Sequence, residues 1–198
     1  MKRLVSLLGA AIIAVAASAQ ITWNAKFGFG ASSCVTTGDA KLKEHGVGKL
    51  GVGIEYPLTA NFSLMPSLEI AIKGAKEENA ELTISYLQIP VMGAYRINLS
   101  NSWNLTLKVG PYFAYGLSAE MKADGDKIDI FSKSKMSELG YEAGNRLDVG
   151  VDVGVDFEYH RLVFGVEYER GFINLFPTGK NFAKVYNQAI YATIGYKF

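Results

Sequence analysis

From Ile21 onward the chain alternates apolar and polar residues with a period of two. The stretch Leu147 to Tyr159 is the clearest. Leu147, Val149, Val151, Val153, Val155, Phe157 and Tyr159 share one face, and Asp148, Gly150, Asp152, Gly154, Asp156 and Glu158 share the other. A helix would scatter these residues around its circumference, whereas a strand segregates them. The C-terminus repeats the pattern, with Ile190, Ala192, Ile194, Tyr196 and Phe198 opposite Ala189, Tyr191, Thr193, Gly195 and Lys197. Six further segments alternate less cleanly: Ile21 to Ser32, Val47 to Tyr56, Phe62 to Lys73, Leu82 to Ile97, Trp103 to Leu117 and Arg161 to Asn174. With Arg146 to Tyr159 and Tyr186 to Phe198 they predict eight strands in an all-β chain.

Which face meets water separates two architectures. A soluble sandwich turns its apolar face inward; a membrane barrel turns it toward lipid and fills its lumen with polar and small residues. The polar face here is rich in glycine (Gly28, Gly51, Gly53, Gly110, Gly150, Gly154, Gly165, Gly195), which suits a narrow lumen better than an exposed sheet. It also carries both signs of charge. Lys26, Lys49, Lys73, Arg96, Lys108 and Lys197 would meet Glu55, Glu69, Asp148, Asp152, Asp156 and Glu167 across a closed interior. Aromatics recur near segment ends (Trp23, Tyr56, Phe62, Tyr95, Trp103, Phe157, Tyr159, Tyr196), as in an interfacial girdle. The connections agree. Cys34 to Gly46, Gly74 to Glu81, Ser118 to Asn145 and Leu175 to Val185 are long, and they alternate with short turns at Pro57 to Asn61, Asn98 to Ser102 and His160. The predicted fold is a transmembrane, antiparallel, up-and-down β-barrel of about eight strands. By parity Lys26, Lys108, Asp148 and Asp152 face inward, with Tyr112 and Tyr191 plugging the lumen, and Leu107, Val149 and Val151 face lipid. Val151 is taken as a mid-bilayer position. The inward carboxylates are read as partners of lysines, and Glu169 and Arg170 are expected above the lipid zone.

The N-terminus precedes this domain as a targeting signal. Lys2 and Arg3 form a basic start, Leu4 to Ala17 an apolar run, and Ala17-Ser18-Ala19 a small-x-small cleavage site, so residues 1–19 are expected to be removed and 20–198 to form the barrel. The apolar run is shorter than the roughly 20 residues a spanning helix needs. Ala31-Ser32-Ser33-Cys34 only loosely mimics a lipid-attachment motif, because Thr22, Asn24 and Lys26 separate it from the apolar run. Aromatics at 12% and 21 glycines favour strands with tight turns. A net charge of +1 offers no basic face for nucleic acid.

The sequence resembles the PorT-like outer-membrane β-barrel family, common in Bacteroidetes, along nearly all of the mature chain. The resemblance rests on Tyr86-Leu87-Gln88-Ile89-Pro90-Val91, Gly110-Pro111-Tyr112-Phe113, Arg146-Leu147-Asp148-Val149-Gly150 with Gly154, Tyr168-Glu169-Arg170-Gly171 and the closing Gly195-Tyr196-Lys197-Phe198. It implies an outer-membrane location in a Gram-negative envelope and contact with outer-membrane lipid and lipopolysaccharide. A terminal Phe198 is similar to the signal read by the barrel-assembly machinery. The family includes a member linked to type IX secretion.

No catalytic, cofactor-binding or metal-ligating residue is assigned. His45 and His160 lie in connections without a partner pattern. Asp124-Gly125-Asp126 with Asp129 lacks the later glutamate of a calcium loop and reads as a flexible acidic segment. Asp148, Asp152 and Asp156 stack along one wall, which suits salt bridges better than acid–base chemistry. Cys34 reads as a spare thiol near the first outer loop, and Ser118 to Asn145 as the main exposed loop, with a possible protein partner at the outer loops. Two alternatives stay open. A lipid-modifying or protease-like enzyme needs a His beside Ser or Asp near the outer lipid face. A pore must be narrow, because side chains can fill an eight-stranded interior. Pro66, Pro90 and Pro111 inside strands are read as bulges or kinks.

Overall fold

The computed structural model describes residues 21–36, 43–77, 80–123, 126–138, 142–176 and 184–198; the expected signal peptide lies outside the described residues. Alternating stretches become long strands: β1 (Thr22–Thr36), β2 (His45–Pro57), β3 (Phe62–Glu77), β4 (Ala80–Asn98), β5 (Trp103–Ala123), β7 (Leu147–Tyr159), β8 (Leu162–Gly171) and β9 (Val185–Lys197). Each pairs antiparallel with its chain neighbour in the barrel. The ring closes where β1 meets β9, from Asn24↔Lys197 to Thr36↔Val185. Within the loop after β5, a short strand β6 (Asp126–Asp129) pairs antiparallel with the outer end of β5, and a helix, α1 (Lys133–Glu138), follows it. Closure removes sheet edges, so each strand's backbone groups find partners on both sides. Among the described residues no helix is long and apolar enough to cross a membrane; the strands are the spanning elements.

The wall is inverted relative to a soluble protein. Leu50, Val52, Leu68, Ile70, Ile89, Val109, Val153 and Val166 are exposed, while Lys49, Lys73, Glu69, Asp148, Asp152, Glu167 and Glu169 are buried. Only an apolar solvent makes that arrangement stable. The aromatic positions read from the sequence gather at the short-turn end, where Phe62 opposes Tyr95, Phe157 opposes Phe164 and Trp103 stacks on Tyr159 with centroids 4.7 Å apart. His160, in the tight β7–β8 turn, takes a left-handed conformation (φ 53°) more usual for glycine, in keeping with its reading as a turn residue.

Three features differ from expectation. The prolines are not bulges. The register is the same on both sides of Pro66 in the β2–β3 ladder, and rungs are simply missing beside each proline, on β2–β3, β3–β4 and β4–β5 in turn. The shift in the β4–β5 ladder falls instead at Ser85/Tyr86, opposite Leu117. Strands also run further than alternation suggested. β4 has 19 residues and β5 has 21, about twice the roughly 10 that cross a bilayer. Their outer portions therefore stand above the lipid, which accounts for Glu81, Glu120 and Lys122 facing outward there. Finally, Val151 faces outward as expected, but its rung on β8 holds Arg170, whereas Val155 pairs with Leu107 and Val166. Val155 is thus the better centre of the lipid-facing wall.

Val155→Lys is expected to weaken folding into lipid vesicles by about 2–4 kcal/mol, with loss of the heat-sensitive fast-migrating band on unboiled gels. Unimpaired folding of that variant would mean the wall has been read inside out.

Candidate functional site

Inward parity brings charged residues from all eight barrel strands into one column. Near the short-turn mouth Glu55 accepts from Arg96 Nη2 (2.5 Å) and Lys197 Nζ (2.8 Å), and Glu158 pairs with the same two cations at 3.4 and 2.8 Å. Thr106 and Ser63 hydroxyls complete this layer by donating to Glu158 and Glu55. Deeper in, Glu167 receives Lys26 (2.9 Å), Lys108 (2.7 Å) and Lys49, while Lys26 also meets Glu69 at 2.8 Å and Lys108 meets Asp156 at 2.7 Å. Above that, Glu169 joins Lys49 (3.0 Å) to Lys73 (2.7 Å). Asp148 accepts from Tyr112 Oη and Asn187 Nδ2, both at 3.1 Å, and the Lys73 ammonium lies 4.1 Å from the Tyr112 ring centroid. Each of these ions is thereby paired, the condition under which buried charge is tolerated.

The inventory is unequal. Among the described strand residues, six inward cations (Lys26, Lys49, Lys73, Arg96, Lys108, Lys197) face eight inward carboxylates (Glu55, Glu69, Asp148, Asp152, Asp156, Glu158, Glu167, Glu169). Asp152 bears the imbalance. Among the described residues neither of its buried carboxylate oxygens has a hydrogen-bond partner, so the lysine expected to pair with it is not there. Oxygens of Glu69, Glu167 and Glu169 lie within 4.8 Å of one another, a spacing a metal ion could bridge. The ammonium groups of Lys26 and Lys49 already occupy that space, so the trio works as an anionic seat for lysines.

The two mouths differ. At the short-turn end a vestibule of about 440 Å³ opens between Glu55, Arg96, Glu158, His160, Arg161 and Lys197. Above it a void of about 40 Å³ lies beside Lys26, Met65 and Met92. The long-loop end carries an apolar cap. Ile130, Phe131 and Met136, from the β6–α1 region, and Leu175 pack over Cys34, Leu82, Ile84, Tyr86 and Ala114. Phe131 fits because Gly116 lies beneath it; a Cβ there would come within 2.4 Å of the ring. The loop expected to be exposed and flexible is therefore partly a lid, and Asp129 fixes its turn by accepting from the Phe131 N–H at 2.9 Å. Cys34 lies buried beneath this lid rather than in a loop, with Sγ 3.9 Å from Asn187 Oδ1.

Sequence parity placed Lys26, Lys49, Lys73, Arg96, Lys108, Lys197, Glu55, Glu69, Asp148, Asp152, Asp156 and Glu167 correctly. Its set of inward charges left out Glu169, which is fully buried in the lumen beside the outward-facing Arg170. It also missed Tyr86, Gln88, Asn187 and the cap; the apolar run Ile128, Ile130, Phe131 inside a polar loop was the available signal. His45 has partners that spacing did not show: Nε2 is 3.5 Å from Thr83 Oγ1 and Nδ1 is 3.6 Å from Glu81 Oε1.

A closed antiparallel ring with lipid-compatible walls and a paired ionic interior is the architecture of integral outer-membrane barrels. The chain belongs to the outer membrane protein beta-barrel domain family, which it matches over residues 16–177, and its location is the outer membrane. No curated relative matches the chain. Among solved structures it is similar to Ail, the attachment invasion locus protein of Yersinia pestis, at 14% identity over 89% of this chain and 98% of that one, with a TM-score of 0.49. Neisserial surface protein A gives 12% identity, 90% and 97% coverage and 0.49. The outer membrane enzyme PagL gives 9% identity, 87% and 98% coverage and 0.48.

Two substitutions separate paired from unpaired interior charge. Glu167→Gln removes the carboxylate that three lysines share and is expected to cost about 3–5 kcal/mol in urea unfolding from vesicles. Asp152→Asn removes a charge that lacks a partner and is expected to leave stability unchanged or higher; a loss equal to that of Glu167→Gln would refute the pairing described above.

Proposed function

We propose that this protein is a non-enzymatic, non-conducting barrel whose body serves the envelope as a rigid anchor and whose outer surface meets partners. The carrying observation is the filled lumen: stacked ion pairs cross its width, and the apolar cap of Ile130, Phe131, Met136 and Leu175 covers the outer mouth. Ions would have to displace paired charges to pass, and a substrate entering from that side would have to displace the apolar cap. Within the family, the motifs read from the sequence favour the PorT-like group, and so an envelope-assembly or secretion-accessory role. Phe198, exposed at the end of β9 and tied to β1 through its N–H on Trp23 O, is suited to recognition by the barrel-assembly machinery during insertion.

A second reading draws on one contact. Thr83, His45 and Glu81 present a hydroxyl, an imidazole and a carboxylate in the order a hydrolase uses. The separations of 3.5 and 3.6 Å exceed those of an engaged triad, and a threonine hydroxyl is hindered by its methyl group. Hydrolysis of short-chain esters by the folded protein, abolished in His45→Ala, would favour this reading over the anchor.

In planar bilayers the protein is expected to give no stable single-channel current; large steady openings would overturn the closed lumen. On intact cells Cys34 should resist a membrane-impermeant maleimide, and Phe131→Ala should admit it. Rapid labelling of the unaltered protein would show that the cap does not seal the mouth.

A further inference from the structure

One polar cluster on the outside of the barrel serves neither the lumen nor the cap. Arg170 is the last outward residue of β8, eight positions from Leu162 at the short turn. At about 3.3 Å per residue and a tilt near 40°, it stands about 20 Å above the inner girdle, close to the upper edge of an apolar band about 25 Å tall. Its Nη1 donates to Gln188 Oε1 at 3.2 Å, and its guanidinium lies 5.9 Å from the Tyr186 ring centroid. Tyr168 Oη donates to the same Gln188 oxygen at 3.3 Å, and Gln188 Nε2 donates to Ser33 Oγ at 2.8 Å. Three adjacent strands thus cooperate to hold one arginine in place.

That arrangement leaves the cation uncompensated. Among the described residues no carboxylate pairs with Arg170, and Gln188 accepts only one of its five N–H groups. The surrounding wall is apolar, with Phe172 and Ile190 exposed nearby. A fixed guanidinium among tyrosines, at the height where acyl chains give way to headgroups, complements one group above others. A phosphate supplies the charge and the paired oxygens that a planar fork binds, and its acyl chains would lie on the adjoining apolar wall.

We propose that Arg170, positioned by Gln188 and flanked by Tyr168 and Tyr186, is a docking site for the phosphate of a phosphorylated outer-leaflet lipid. The site rests on the membrane placement of the wall and is independent of whether the lumen conducts.

Native mass spectrometry of the detergent-solubilised full-length mature barrel with a diphosphorylated lipid A tests this. The unaltered protein is expected to retain that lipid about tenfold more tightly than Arg170→Gln does, with partial recovery in Arg170→Lys. It should also retain it about tenfold more tightly than the same lipid stripped of phosphate, a comparison that needs no variant to fold. Equal retention of the phosphorylated and stripped lipids would overturn the proposal. So would displacement of the lipid by millimolar inorganic phosphate, which would mark a site for the free ion.

Discussion

Glu167 sits where β8 brings a carboxylate to the middle of the lumen, and three lysines converge on it from β1, β2 and β5. Backbone bonding joins each strand only to its neighbours; this side-chain node joins strands across the barrel. The glycines and small residues of the inward faces leave room for the lysine stems, and the apolar wall excludes the water that would otherwise weaken each pair. The lumen's remaining layers repeat the same logic with Glu55 below and Glu169 above.

The cost of such an interior is specificity of register. Sliding one strand by a single residue would carry its charges to the lipid face and its aliphatics into the lumen. The eight long ladders are therefore mutually constraining, and the missing rungs beside Pro66, Pro90 and Pro111 are tolerated because the pairs on either side cannot shift.

Much of this was legible in the sequence because parity is a strict code in a two-faced strand. The run Asp148 to Glu158 declared its inward face without reference to anything else, and Lys26, Lys49 and Lys108 followed from the same rule. What the rule could not see depends on three-dimensional company. Asp152 reads like Asp148 and Asp156, yet only the fold shows that it lacks a partner. Glu169 was passed over because attention fell on its outward neighbour Arg170, and only the fold shows the carboxylate joining Lys49 to Lys73. The cap and the His45 contacts join segments far apart in sequence, and alternation carries no information about such meetings.

The extended β4–β5 pair has a consequence for recognition. Its outer part continues the ladder as far as Ala80↔Ala123, and β6 widens it by another four residues. What projects from the membrane is a stiff blade braced by backbone bonding, with Glu81, Glu120 and Lys122 on its outward side. A partner gripping a floppy loop loses affinity to the freezing of that loop. A blade is already frozen, so modest contact area suffices, and any variation in its charges alters the encounter without disturbing the barrel that carries it.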